Sequence, residues 1–379
     1  MNDPTAVARS AGPSVSAEPA APVGGIDNVE SRTFTIRDFA LQCGQALAEA
    51  AIAYETYGRL DATGRNAVLL AHGFTSSHHA AGRYAACKAP RGVFEHEPGW
   101  WEALVGPGRA IDTDRLFVVS SNMLGSSYGS TNPASPDPAT GKPYGPDFPP
   151  ITLADIVRAQ RLLLEHLGVK HLVAVAGPSF GGYQAFQWSV TFPDFMDGIV
   201  AAVTAPKGSG GERAVRDLIA QLAKHPNWNG GFYYHNGGIR TAMIEFRVAT
   251  LKRYGLEQQL MERYPDPAAR ESAIRMLAEH WADAFDGNSL ITLRRVAAEF
   301  DAEQHLSRIT AKVLYVLSTT DQLFPAAIGP GVVERLKAAG VDTTYFELES
   351  DKGHLASGVD AGKWAGILRE FLQRLTAVA

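Results

Sequence analysis

The chain has 379 residues with a net charge of −5, 45% hydrophobic and 20% charged residues, the balance of a globular protein with room for one large α/β domain plus an insertion. The charge offers nothing to nucleic acid or an anionic membrane, and no stretch approaches the roughly 20 apolar residues of a membrane span. Two cysteines, Cys43 and Cys87, are too few for a disulfide framework; a reducing cytoplasm is the expected compartment and both read as small core residues.

Residues 1–26 are rich in Ala, Pro, Ser and Gly, with no basic stretch before an apolar run, and read as a disordered tail. Phe34–Ile36 and Leu47–Tyr57 then read as an antiparallel hairpin. Asn66–His72 is a continuous apolar run, as in a strand buried on both faces, and ends in the polar loop His72–His78. Leu116–Ser121 is a second such strand. It opens into a Gly/Pro/Ser-rich stretch, Asn122–Pro150, whose Tyr128, Tyr144 and Phe148 predict a loop that packs down. Ile151–Leu167 has the 3.6-residue periodicity of a helix, with Thr152 and Asp155 placed as a capping box and Gly168 as its stop.

Leu172–Ala176 predicts a further buried strand. It runs into Gly177-Pro178-Ser179-Phe180-Gly181 and a helical stretch, Tyr183–Phe192. G-x-S-x-G between a strand and a helix marks a nucleophile elbow, because the turn is too tight for side chains at the glycine positions and lifts the serine hydroxyl to a helix N-terminus. Gly198–Val203 is the next strand. From about Pro206 to Ser307 helical patterns replace buried-strand runs, and Ala311–Ser318 and Thr344–Leu348 restore them before a closing helix through Trp364 and Leu375. The alternation predicts a parallel, doubly wound sheet of the α/β-hydrolase type. Its core would be 27–205 and 308–379, with 206–307 as a helical cap.

A serine hydroxyl needs a base, and the base an acid that fixes its tautomer. In this fold the order is Ser, Asp or Glu, then His, on loops after successive strands. Asp321 and His354 each follow a predicted strand end in that order, which makes Ser179, Asp321 and His354 the candidate triad. Backbone N–H groups of Phe180 and Phe74 are the candidate oxyanion donors. The histidines lack metal-site spacing, and neither G-x-G-x-x-G after a strand nor a phosphate-binding loop is present, so no metal or bound cofactor is expected.

Beyond the elbow, Trp100–Gly108, Ile111–Asp114, Asn122–Thr131 continuing through Pro138–Phe148, His78–Gly82 and Pro226–Tyr234 resemble blocks of the homoserine O-acetyltransferases. The resemblance spans most of 35–375. It implies acyl transfer from an acyl-CoA such as acetyl-CoA, through an acyl-enzyme on Ser179, to a small hydroxyl acceptor, with Asp321 as acid and His354 as base. It further implies a homodimer meeting through the cap, and substrate contacts from an arginine early in the cap, where Arg213 and Arg216 stand, and from Tyr234. Three motifs depart from the family pattern. Pro178 and Phe180 flank Ser179 where G-G-S-M-G is common, Gly73-Phe74-Thr75-Ser76 replaces A-L-T-G, and Leu355-Ala356-Ser357 follows His354 where Asp-Ala-Phe is usual. The acceptor therefore stays open between a hydroxyl compound and water, the latter making the chain a hydrolase of a small ester, amide or thioester.

Overall fold

The computed structural model describes residues 26–85, 88–93 and 97–377. Eight strands form the main sheet: β1 (Arg32–Ala40), β2 (Ala46–Tyr57), β3 (Ala67–Ala71), β4 (Phe117–Ser121), β5 (Leu172–Pro178), β6 (Met196–Ala202), β7 (Lys312–Ser318) and β8 (Thr343–Leu348). Their spatial order is β1-β2-β4-β3-β5-β6-β7-β8. The β1–β2 and β2–β4 pairings are antiparallel and every later pairing is parallel. This is the α/β-hydrolase arrangement expected from the alternation of strands and helices.

The central strands are buried on both faces, which is why β3 reads as an unbroken apolar run. Alternate residues serve different layers. Leu69, Val119, Val175 and Ile199 join the core beneath α1 (Leu153–His166) and α2 (Phe180–Thr191). Val68, Val118, Ala174 and Val200 join the opposite core, filled by Trp101, Trp364 and Phe371. The predicted capping box opens α1: Thr152 accepts from the Asp155 N–H at 3.2 Å while the Asp155 carboxylate accepts from the Thr152 N–H at 2.9 Å.

Between β6 and β7 lie α3 (Gly211–Leu222), α4 (Arg240–Arg253), α5 (Pro267–Ala282) and α6 (Gly287–Glu299). Part of this segment has its own small core of Ile244, Leu251, Leu256, Ile274 and Ala278. Then come α7 (Gly329–Ala338) and the closing α8 (Ala365–Thr376), which buries Leu368, Phe371, Leu372 and Leu375. Phe148 of the long 122–150 loop is buried, and Tyr128 packs edge-on against Phe285 at 5.8 Å, so this loop lies against the helical segment. Among the described residues no helix is long and apolar enough to cross a membrane.

One expectation is corrected. Cys43 is exposed, because it sits in the β1–β2 turn, where the chain reverses outside the core; Cys87 lies outside the described residues. Ile26, the last residue of the expected tail, is described. The Ile26 carbonyl accepts from the Arg83 N–H at 3.1 Å and its side chain packs on the second core. The rest of the tail lies outside the described residues.

Candidate active site

Ser179 stands between β5 and α2 with φ 56° and ψ −119°, a conformation that costs a non-glycine residue about 1–3 kcal/mol. The surroundings impose it. A Cβ on Gly177 would lie 2.2 Å from the Ala71 carbonyl oxygen, and one on Gly181 would lie 2.0 Å from the same atom. A Cβ on Gly182 would lie 2.3 Å from the Thr204 side chain. The glycines thus permit a backbone crossing that no side chain fits. Thr204 Oγ1 donates to the Ser179 carbonyl at 2.7 Å and the Ser179 N–H donates to the Ala202 carbonyl at 2.8 Å, so β6 holds the turn from beneath.

Asp321 follows β7 and His354 follows β8, both buried. His354 Nδ1 donates to Asp321 Oδ2 at 2.8 Å, while Asp321 Oδ1 accepts the N–H groups of Leu323 at 2.8 Å and Phe324 at 3.3 Å. Both carboxylate oxygens are therefore committed, one to orienting the imidazole and the other to its own loop. Thr320 Oγ1 fastens this loop to the next, donating to the Ser350 carbonyl at 2.7 Å and accepting from the Gly353 N–H at 3.1 Å. The His354 ring lies 5.0 Å from the Tyr254 ring and 5.8 Å from that of Phe324.

Ser179 opens into a cavity of about 380 Å³ walled by Phe74, Phe180, Tyr183, Leu218, Phe246 and Phe324. Among the described residues no hydrogen bond joins Ser179 Oγ to His354, and neither the Phe74 nor the Phe180 N–H is committed to another group. The Phe74 and Phe180 rings stack at 5.8 Å, which brings the two chain segments carrying those N–H groups together at the serine.

The other expected contacts are not assembled here. Arg213 and Arg216 are exposed on α3, each facing an acidic residue one turn away, Asp217 at 3.7 Å and Glu212 at 3.2 Å, and neither lines the cavity. The reason is helical phase: α3 turns Ala214 and Leu218 toward the serine and its arginines toward solvent. Tyr234 bonds Asp286 at 3.3 Å and Asn288 at 3.0 Å and lines a separate groove with Tyr144. The arginines that do line the Ser179 cavity are Arg253 and Arg294. Arg294 donates to the Ser209 carbonyl at 3.0 Å, no carboxylate pairs with it among the described residues, and burial, with the like charge of Arg253, lowers its pKa. Neither residue stands out by spacing in the sequence, since α6 and the end of α4 line one cavity only in the folded chain. Tyr183, beneath Phe180, is pushed up to about 12 by burial and stays a neutral wall of the cavity. Behind the Phe74 loop, His72 and His78 are fully buried and held down to about 4 and about 3 by burial, so both are neutral near pH 7. Among the described residues no cluster of three His, Cys, Asp or Glu is arranged to hold a metal ion.

A family profile described as alpha/beta hydrolase fold matches residues 66–361. A homoserine O-acetyltransferase of Solidesulfovibrio magneticus is 35% identical over 378 residues, covering 92% of this chain and 94% of that protein. The chain belongs to the homoserine O-acetyltransferase family of α/β-hydrolase-fold enzymes. Solved structures divide between the family's name and another. The homoserine O-acetyltransferase of Bacillus anthracis superposes with a TM-score of 0.81 at 27% identity, covering 92% of this chain and 98% of that one. Esterase E22 superposes with a TM-score of 0.82 at 29% identity, covering 91% of this chain and 100% of that one. The family scaffold thus carries names of both transfer and hydrolysis at equal structural distance from this chain.

Proposed function

We propose that the protein transfers an acyl group, from acyl-CoA to a small hydroxyl acceptor, through an acyl-enzyme on Ser179. The carrying observation is the 2.8 Å Asp321–His354 hydrogen bond at two strand ends, with the His354 ring against Tyr254 and Phe324, which line the same cavity as the strained Ser179. In this reading Asp321 keeps the His354 proton on Nδ1, which frees Nε2 to take the Ser179 proton as Oγ attacks the acyl carbonyl. The Phe74 and Phe180 N–H groups receive the negative charge that develops on the carbonyl oxygen. His354 then protonates the departing thiolate and deprotonates the acceptor hydroxyl in the second half-reaction. Arg253 and Arg294 hold an anionic group of donor or acceptor. The helical segment 206–307 acts as the cap that shelters the intermediate, and a homodimer through it and cytoplasmic residence complete the proposal.

The likeness to esterase E22 favours one second reading, hydrolysis of a small ester, in which water takes the acceptor's place. Thiol release from acetyl-CoA, with and without homoserine or serine, divides the two. Acceptor-dependent release supports transfer, and turnover confined to activated esters supports hydrolysis. If Ser179→Ala matches the unaltered protein on every substrate, both fail.

A further inference from the structure

Thr75, next to Phe74, is buried, and three side chains of the helical segment converge on it. Arg247 Nη1 of α4 donates to Thr75 Oγ1 at 2.6 Å. Trp281 Nε1 of α5 donates to the Thr75 carbonyl at 3.2 Å. The Tyr254 hydroxyl also hydrogen-bonds the Thr75 side chain. Tyr254 reaches the base as well, since its carbonyl accepts the His354 N–H at 3.1 Å. One stretch, the last turns of α4 and its C-cap Tyr254, therefore grips both the loop carrying the Phe74 N–H and the loop carrying the imidazole.

Arg247 is the costly member of this set. Its guanidinium lies 5.0 Å over the Trp281 ring, no carboxylate pairs with it among the described residues, and its Nε is buried without a partner. A half-buried guanidinium whose Nε is cut off from water without a partner lowers stability relative to an apolar side chain of similar size. Packing alone would favour methionine here, and Tyr254 would still satisfy Thr75. What the arginine adds is a charge-assisted hydrogen bond in a rigid fork, stronger and more directional than a neutral one.

We propose that Arg247 is a positioning residue that fixes the Gly73–Thr75 turn through Thr75 and so keeps the Phe74 N–H aimed at the acyl oxygen. The inference rests on acyl chemistry at Ser179. It makes the docking of α4 a condition for a competent oxyanion site: displacement of that helix loosens the donor loop and the base loop together.

The test is 4-nitrophenyl acetate turnover by full-length Arg247→Met, Arg247→Lys, Thr75→Val, the Met/Val double variant and Ser179→Ala, with thermal midpoints for each. Arg247→Met should lower kcat about tenfold or more, less than deleting an oxyanion donor outright, with KM within about twofold. Its midpoint should be unchanged or raised, and Arg247→Lys should recover part of the rate. Thr75→Val should show a similar loss, and the double variant should be no slower than either single, because both break one link. Full activity of Arg247→Met while Ser179→Ala is dead would overturn this inference alone. A loss in Arg247→Met that tracks a fallen midpoint and adds to that of Thr75→Val would also overturn it. Turnover undiminished in Ser179→Ala would overturn the reading of the serine, and this inference with it.

Discussion

Asp321→Asn isolates the role proposed for this carboxylate with little change of shape. Oδ1 accepts two backbone N–H groups, from Leu323 and Phe324, while Oδ2 accepts His354 Nδ1 at 2.8 Å. An asparagine in this position must turn its oxygen toward the two N–H donors. Its NH₂ then faces His354 Nδ1, which can remain hydrogen-bonded only as an acceptor. The imidazole proton moves to Nε2, and the nitrogen that should receive the Ser179 proton is already occupied. The fold loses no buried hydrogen bond, so the thermal midpoint should hold within about 2–4 °C, the shift of a 1 kcal/mol change in a large domain. The rate should fall by about 10⁴, or roughly 5.4 kcal/mol of transition-state stabilisation. Acyl-enzyme formation should be followed by burst kinetics with 4-nitrophenyl acetate and by the rate of fluorophosphonate labelling, at constant pH. A variant that labels and turns over within tenfold of the unaltered protein, at an unchanged midpoint, would refute the assignment of Asp321 as orienter of the base.

Gly181→Ala should destabilise the fold by about 1–3 kcal/mol or more and lower activity in the surviving protein, because the new Cβ falls 2.0 Å from a backbone oxygen that belongs to β3 and cannot rotate away; urea denaturation reads this, and an unchanged midpoint would contradict the crossing geometry. Arg294→Met should raise KM for acetyl-CoA or an acidic acceptor about tenfold while leaving KM for neutral 4-nitrophenyl acetate alone, whereas Arg213→Ala, which removes only an exposed pair, should change either by less than about twofold. His72, held down to about 4 from an ordinary 6.5, stays neutral in the folded chain while the unfolded chain takes up a proton below 6.5. Its contribution is therefore complete above pH 6.5 and lost as pH falls toward 4, by up to about 3 kcal/mol. Urea midpoints at pH 7.5 and 4.5 should diverge less in His72→Gln, and equal divergence would contradict the buried-neutral state.

The fold was legible because its strands are extreme in composition. Ala67–Ala71, Phe117–Ser121 and Lys312–Ser318 lie between two helical layers, and burial on both faces forces apolar runs that no surface strand needs. The strand-end placement of Asp321 and His354 was legible for a related reason. Chain order and strand ends are one-dimensional properties, and parallel strands bring successive C-terminal ends to one edge of the sheet. The arginines that line the cavity were not legible. Arg213 and Arg216 share α3 with cavity-lining residues, but the helix turns them to solvent. Tyr234 belongs to a segment that packs on Asp286, against the long loop rather than above the serine.

The sequence alone was enough to specify the doubly wound sheet, the tight turn at Ser179 and the strand-end positions of Asp321 and His354, since periodicity, glycine placement and strand ends are written along the chain. Only the tertiary structure decided which arginines line the cavity and which side chains hold the Phe74 loop. Thr75 and Arg247 are 172 residues apart, and their hydrogen bond exists because α4 packs against the loop that follows β3. No local pattern encodes such a pairing, because the direction of a side chain from a helix becomes meaningful only once the helix has a neighbour.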